Sequence, residues 1–298
     1  MCVIDLNGRV ALVTGAGGGL GRAYAQLLAQ RGARVVVNDL GSGAESVARE
    51  IKDAGGEARA AQCSVTDAAA VDEMVQETLK AWGRVDILSN NAGILRDKSF
   101  AKMSPDDFRL VIDVHLMGAF NCTKAVWEPM RAQKYGRIVL TTSSSGLYGN
   151  FGQSNYSAAK MGLVGLMRTL SIEGAKYGIH VNCIAPTAAT QMTQGILPTE
   201  QLNLLRPEFV ASGVLALVAQ NAPTGTILCA GAGSFEAAHI TLTKGTYIPG
   251  NPPSSEELVA RWAEVVDRQD EMTPEYGFTQ GEVELKKAGY VQPETSVR

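Results

Sequence analysis

"TGAGGGLG", Thr14 to Gly21, decides how the rest of the chain is read. The short β-rich run "RVALVTG" (Arg9–Gly15) leads into it, and "LGRAYAQLLAQRG" (Leu20–Gly32), with helical spacing, leads out. Glycines between a strand and a helix let the backbone turn tightly and approach a pyrophosphate, and the helix N-terminus favours its negative charge. Glycines also serve plain turns, so the context carries the reading. Asp39 adds to it, because it ends the next strand, "ARVVVND" (Ala33–Asp39), where a dinucleotide's adenosine ribose would lie. A carboxylate there accepts from ribose hydroxyls and repels a 2′-phosphate, which points to NAD over NADP as cofactor.

Outward from this turn, short apolar strands and helical segments keep alternating. Strands are read at Glu57–Val65, Val85–Gly93, Gly136–Ser144, Ile179–Pro186 and Gly225–Gly233, with helices at Ser46–Gly56 and Ala69–Gly83. Continuous apolar strands separated by helices imply an α/β fold, a doubly wound parallel sheet of about seven strands covered on both faces. A turn-rich stretch, "YIPGNPPSSEEL" (Tyr247–Leu258), marks a change of composition. Residues 1–250 are therefore read as the catalytic domain and 251–298 as a C-terminal helical extension. One helix is expected at "SSEELVARWAEVVDR", where Leu258, Val259, Trp262, Val265 and Val266 share an apolar face that must pack on the core or on a neighbouring subunit.

Composition narrows the function classes. Hydrophobic residues at 45% support a substantial core, and a net charge of −3 leaves no footprint for nucleic acid. The five cysteines (Cys2, Cys63, Cys122, Cys183, Cys229) lie far apart, which argues for reduced thiols with no zinc site and no disulfide frame. Asp5 and Arg9 interrupt the early apolar residues, no run suits a bilayer, and the ending "SVR" is not a peroxisomal address. The expectation is a cytoplasmic protein with no targeting signal and no membrane or nucleic-acid partner.

"YSAAK" places Tyr156 and Lys160 four residues apart, about one helical turn, on one face. A nicotinamide enzyme moves a hydride, and a proton must move with it. Tyrosine is a poor base near neutral pH, but a neighbouring ammonium favours the phenolate. Lys160 can do this and also hold a cofactor ribose, while a hydroxyl at Ser143 can steady the reacting oxygen.

These motifs together resemble the short-chain dehydrogenase/reductase family over roughly residues 5–235. "TGAGGGLG" is similar to its Thr-Gly-x-x-x-Gly-x-Gly turn, "NNAG" (Asn90–Gly93) to its fourth-strand motif, and "YSAAK" to its Tyr-x-x-x-Lys. The resemblance implies a Rossmann-type fold, an enzyme acting on CH–OH groups, and catalytic roles for Ser143, Tyr156 and Lys160, with Ser144 and Ser145 as alternatives to Ser143. It implies that Gly15, Gly19, Leu20 and Gly21 hold the cofactor with Asp39, that Ser64 and Val65 flank its adenine, and that Asn91, Ala92, Gly93, Pro186 and Ala189 line it, with no metal. Two positions depart from the family pattern. His115 stands where the family commonly has Asn, whose main-chain carbonyl extends a proton relay from Lys160, and Thr187 stands where glycine follows the proline of strand six.

Longer stretches, among them "NNAGILRDKSF", "DVHLMGAF" and "SIEGAKYGIHVNCIAP", resemble the branch of (3R)-hydroxyacyl-CoA dehydrogenase units within peroxisomal multifunctional enzymes, which also counts as a 17β-hydroxysteroid dehydrogenase type. His115 fits that branch. The implied reaction is NAD-dependent oxidation of a (3R)-3-hydroxyacyl-CoA to the 3-oxoacyl-CoA, in lipid metabolism. An NAD-dependent steroid or xenobiotic alcohol dehydrogenase is the alternative, followed by a 3-oxoacyl-carrier-protein reductase or a catalytically silent NAD-binding protein. A specificity loop is expected at residues 187–205, apolar in "GILPTEQLNLL", with Arg96, Lys98 and Lys102 as cations near the substrate. The family implies a homodimer or homotetramer. The helices around Ala119–Met130 and Ala158–Ala175, rich in small residues beside Leu, Val and Met, suit such packing.

Overall fold

The computed structural model describes residues 3–189 and 198–291. Its core is a single sheet in the order β3-β2-β1-β4-β5-β6-β7-β8. The strands are β1 (Val10–Thr14), β2 (Arg34–Asp39), β3 (Ala58–Gln62), β4 (Ile87–Asn90), β5 (Gly136–Thr141), β6 (Ile179–Thr187), β7 (Ile227–Gly231) and β8 (Ser234–Ala238). The first seven run parallel, in register from Val10 opposite Arg34 through Cys183 opposite Ile227. The expected fold is therefore present, with one addition. β8 returns antiparallel along β7 through a turn at Ala232 and Gly233, both with positive φ.

Each central strand is buried along its whole length, β1 and β5 without an exposed residue. One apolar cluster lies on each face. Val13, Leu28, Val35 and Val214 belong to one, and Leu12, Val75, Leu140 and Met167 to the other. The covering helices are α1 (Gly19–Gln30), α2 (Gly43–Asp53), α3 (Ala68–Trp82), α4 (Pro105–Ile112), α5 (Gly118–Gln133), α6 (Ser144–Tyr148), α7 (Ser154–Ala175), α8 (Thr199–Leu204) and α9 (Pro207–Leu217). Local chemistry sets their limits. The Asp67 carboxylate caps α3 by accepting from the N–H groups of Ala69 and Ala70, and Gly83, at φ 75°, ends it. Ser104 caps α4, with Pro105 at its first position. Between α4 and α5 the chain widens into a π turn, Asp113–Met117.

The chain divides into two compact units between Ala238 and His239, twelve residues before the boundary read from composition. The second unit carries α10 (Ser255–Ala260), α11 (Trp262–Val266) and α12 (Phe278–Lys287). The single helix expected at residues 254–268 is thus two. Arg261, at φ −103°, leaves helical geometry, and its guanidinium bonds Glu257, Glu264 and the Tyr247 carbonyl. Leu258, Val259, Trp262 and Val266 are exposed. No helix among the described residues is long and apolar enough to cross a membrane.

Candidate active site

The sheet order reverses between β1 and β4, where a crevice forms outside the carboxyl ends of the strands. A cleft of about 480 Å3 lies there. The glycine turn and Asp39 line one part of it, through Gly15, Gly19 and Leu20. Asn91, Gly93, Tyr156, Lys160 and Pro186 line the rest. Four further lining residues were not singled out from the sequence: Gly17, Gly18, Gly43 and Thr141. The glycines of "LGSG" after Asp39 were a legible signal for Gly43. Nothing in the sequence marks Thr141, because its main-chain oxygen does the work.

Geometry explains the glycines. Gly15 has φ 61° and Gly19 φ 51°, in the region that favours glycine. A Cβ on Gly21 would collide with the Gly15 carbonyl and come within 2.7 Å of the Asn91 amide nitrogen, so Gly21 allows α1 to close on the turn rather than lining the cleft. A Cβ on Gly18 would meet nothing within 4 Å. Gly18 is the N-cap of α1 and provides no side-chain cap, so the first N–H groups of the helix face the cleft. Asp39 braces the turn, its Oδ2 accepting from the Gly17 N–H at 2.9 Å and its Oδ1 from the Gly41 N–H at 3.2 Å. Uncapped donors in one part, a carboxylate beside them and a tyrosine–lysine pair beyond fit the phosphates, ribose and reactive ring of a nicotinamide dinucleotide.

Other predicted cofactor residues act as supports. The Asn91 amide donates to the carbonyls of Thr14 and Gly15, while the N–H groups of Asn91 and Ala92 both donate to Thr14 Oγ1. Ser64 Oγ bonds Thr66 Oγ1, and the Val65 carbonyl accepts from Asn121. Thr187 ends β6 opposite Gly231. The Ala189 N–H donates to the Leu205 carbonyl at 2.5 Å, closing the base of the expected specificity loop. Residues 190–197 of that loop lie outside the described residues. Of the expected cations, Lys98 is held by Asp107 at 2.7 Å.

Tyr156 and Lys160 both stand on α7, and Ser143 caps α6 in front of them. Of the three serines, Ser143 is the one whose side chain is close enough to the Tyr156 hydroxyl to act on its titration, which it lowers. Lys160 is buried, lies 5.4 Å from the centre of the Tyr156 ring and donates to the Thr141 carbonyl at 2.6 Å. Burial pushes its ammonium down to about 7. Burial also pushes the phenol above its ordinary value, with the Ser143 bond opposing and the Asp97 charge adding to the rise. The phenol is thus raised where the lysine was expected to lower it, and the largest cause is its own burial.

His115 sits in the π turn, 3% exposed, its ring edge-on to Tyr156 with centroids 5.2 Å apart. Nε2 lies 2.7 Å from the Ile94 carbonyl and 3.0 Å from the Ile94 nitrogen. A single nitrogen cannot donate and accept at once, so one tautomer serves one of these contacts at a time. Nδ1 has no partner, and burial together with the Lys160 charge drives the imidazole down to about 3, so it stays neutral.

The match to the family model "short chain dehydrogenase" covers residues 9–201. The Drosophila melanogaster peroxisomal multifunctional enzyme type 2 is 48% identical over 275 residues, 88% of this chain and 46% of that one. Its full-length structure, at 42% identity, covers 95% of this chain and 50% of that chain with a TM-score of 0.82. The Mycobacterium tuberculosis protein Rv0148, named for the short-chain type dehydrogenase/reductases, is 47% identical over 270 residues, 87% of this chain and 94% of its own length. A 7α-hydroxysteroid dehydrogenase complexed with NADH and 7-oxo glycochenodeoxycholic acid is 30% identical, covers 78% of this chain and 96% of that chain, and has a TM-score of 0.72. The chain spans about half the length or less of the multifunctional enzymes that it matches.

Proposed function

The chain belongs to the short-chain dehydrogenase family, and on that premise we propose that it oxidises a (3R)-3-hydroxyacyl-CoA to the 3-oxoacyl-CoA with NAD. The observation that carries this reading is the convergence of Tyr156 and Lys160 on the cleft that Asp39 and the glycine turn line, with Ser143 acting on the Tyr156 hydroxyl. Similarity to multifunctional enzyme type 2 supports the acyl-CoA substrate, and the NADH in the hydroxysteroid dehydrogenase supports the cofactor.

When bound, NAD supplies the hydride acceptor. Tyr156 Oη takes the proton of the substrate hydroxyl, and Ser143 Oγ hydrogen-bonds the same oxygen as it becomes a carbonyl. Lys160, anchored on Thr141, opposes the negative charge on the phenolate and holds the cofactor ribose. His115 backs the Tyr156 ring. The Asp39 carboxylate accepts from the adenosine ribose and excludes a 2′-phosphate.

Cofactor reduction, followed by absorbance with a panel of 3-hydroxyacyl-CoAs, steroid alcohols and simple secondary alcohols, tests the reading. Turnover of the (3R)-thioesters above the others supports it. Preference for steroid alcohols would establish the second reading, which the similarity to a hydroxysteroid dehydrogenase favours. Assembly as a homodimer or homotetramer and a cytoplasmic location complete the proposal. Exposed Phe120 on α5 and Met161 and Ile172 on α7 support the assembly.

A further inference from the structure

Tyr156 is the third residue of α7, where the N–H groups of a helix find no partner within it. Gln153, the N-cap, makes no side-chain bond to them. Its amide donates to Asp97 Oδ2 at 2.7 Å and accepts from Asn150. Asn155 takes over from inside the helix, its Oδ1 accepting from the Tyr156 N–H at 2.7 Å.

The other end of the same amide reaches out of the helix. Nδ2 donates to the Arg96 carbonyl at 3.1 Å and, more loosely, to the Asp107 carbonyl at 3.4 Å. Arg96 belongs to residues 93–98, a strap over the start of α7 that the Lys98 N–H closes on the Gly152 carbonyl at 2.9 Å. Asp107 belongs to α4, and its carboxylate holds Lys98 of the strap. One wholly buried side chain therefore joins three elements at the main chain of the tyrosine. The joint calls for an amide. Two donors meet two carbonyls while an acceptor meets an N–H, and a carboxylate would set oxygen against oxygen.

Both outer elements also bear on the phenol ring. α4 runs on into the π turn, whose His115 stands edge-on to the Tyr156 ring, and Ile94 of the strap bonds the same imidazole. The main chain and the ring of Tyr156 are thus held to one frame, the first by Asn155 and the second by His115.

We propose that Asn155 is a positioning residue for the reaction: by tying the Tyr156 N–H to the strap and to α4, it sets where the phenol hydroxyl stands against the reacting oxygen. The role rests on Tyr156 being the proton carrier, as in the reading above. Displacing a reacting group by about 1 Å costs up to roughly a hundredfold in rate. Asn155 is fully buried, so it acts through Tyr156 and touches neither cofactor nor substrate.

Asn155→Ala removes all three bonds, and Asn155→Ser is the milder change should the first fail to fold. Gln133→Ala is the control. Gln133 clamps the N–H and the carbonyl of Val85 at the opposite ends of the strands, so its loss weakens the fold without reaching Tyr156. Each protein is assayed by NAD reduction with (3R)-3-hydroxybutyryl-CoA, well below its melting temperature. Asn155→Ala is expected to lower kcat about tenfold or more, with the KM for NAD within about twofold of the parent. Asn155→Ser is expected to fall in the same direction by less. Gln133→Ala is expected to keep both parent values while its melting temperature drops. An unchanged kcat in the folded Asn155 variant, or an equal fall in Gln133→Ala, would overturn the proposal. A parent that turns over no thioester or alcohol would remove the proposed reaction, and the phenolate titration of Tyr156 then decides. It is taken as the absorbance difference from the same protein carrying Tyr156→Phe. Burial holds that titration above the ordinary range, so Asn155→Ala is expected to bring it down by about half a pH unit or more. Superimposed titrations would sink the positioning role.

Discussion

The ammonium of Lys160 lies 5.4 Å from the centre of the Tyr156 ring and is spent on the Thr141 carbonyl at 2.6 Å. Lysine and tyrosine are thus neighbours with their charges displaced in opposite directions, the ammonium down to about 7 and the phenol up. Alcohol oxidation consumes the phenolate, so its rate is expected to climb as pH rises into the alkaline range, and ketone reduction is expected to run best on the acid side. Tyr156→Phe is expected to keep NAD binding and lose at least about a hundredfold in kcat. Lys160→Met removes the cation that favours phenolate, so the acid limb moves to higher pH while the rate falls. Steady-state pH profiles in both directions check these outcomes.

Asp39 performs two jobs that one substitution exposes. Asp39→Ala is expected to narrow the preference for NAD over NADP by removing the charge that repels a 2′-phosphate. The same change frees the Gly17 N–H, so the KM for NAD is expected to rise as well. Comparison of kcat/KM for the two cofactors checks the first effect, and NAD binding by fluorescence checks the second. Parent enzyme that prefers NADP would refute the assignment.

Two glycine substitutions three residues apart are expected to behave oppositely. Gly21→Ala forces a Cβ against the Gly15 carbonyl and within 2.8 Å of Ala16 Cα, so the protein is expected to lose about 3 kcal/mol or more and its cofactor affinity. Gly18→Ala meets open space at φ −172°, so the melting temperature is expected to hold while the KM for NAD rises. Thermal denaturation beside cofactor titration distinguishes the two.

The buried imidazole predicts a limb of acid instability. His115 binds a proton near pH 6.5 when unfolded but only near pH 3 when folded, so the unfolded chain takes up more protons in between. The stability associated with neutral His115 is fully present above about pH 6.5 and is lost as pH falls through about 3. At full titration the loss is on the order of 4–5 kcal/mol. His115→Phe is expected to flatten that limb, though its stability near neutral pH starts lower for want of the Ile94 bond. Denaturant melts of both proteins across this range measure the slopes.

Assembly is testable on the exposed faces of α5 and α7. Phe120 and Ile172 are 45% and 55% exposed, and a glutamate at either is expected to shift the sedimenting species toward monomer without unfolding it. A parent chain that sediments as a monomer would remove the assembly from the proposal.

The parallel sheet was legible because its strands are continuous apolar runs closed by glycines, and the placing of Tyr156 and Lys160 together was legible because four residues make about one helical turn, whereas Ser143, on another element, rests on the family resemblance. β8 was not, since "SFEAA" is short, mostly exposed and defined by its pairing with β7. The break at Arg261 hides within an unbroken helical pattern, because the bond to the Tyr247 carbonyl that accompanies it comes from outside the helix. The Thr141 carbonyl and the Gly17 N–H are main-chain groups, available from any side chain, so no residue type betrays them. Sequence likewise reports the presence of Tyr156 and Lys160 but not their burial, which raises the phenol and lowers the ammonium.

Gly93 and His115 stand on different elements yet occupy one volume. A Cβ on Gly93 would lie 2.9 Å from Nδ1 and 3.1 Å from Nε2 of the imidazole, and nearer still to the carbon between them. Neither position is free to drift alone. A lineage that enlarges residue 93 must first shrink residue 115, and one that keeps the imidazole inherits the bare backbone opposite. Across descendants of this chain the order of change is therefore expected to be fixed, with a side chain at residue 93 appearing only where residue 115 has already become smaller.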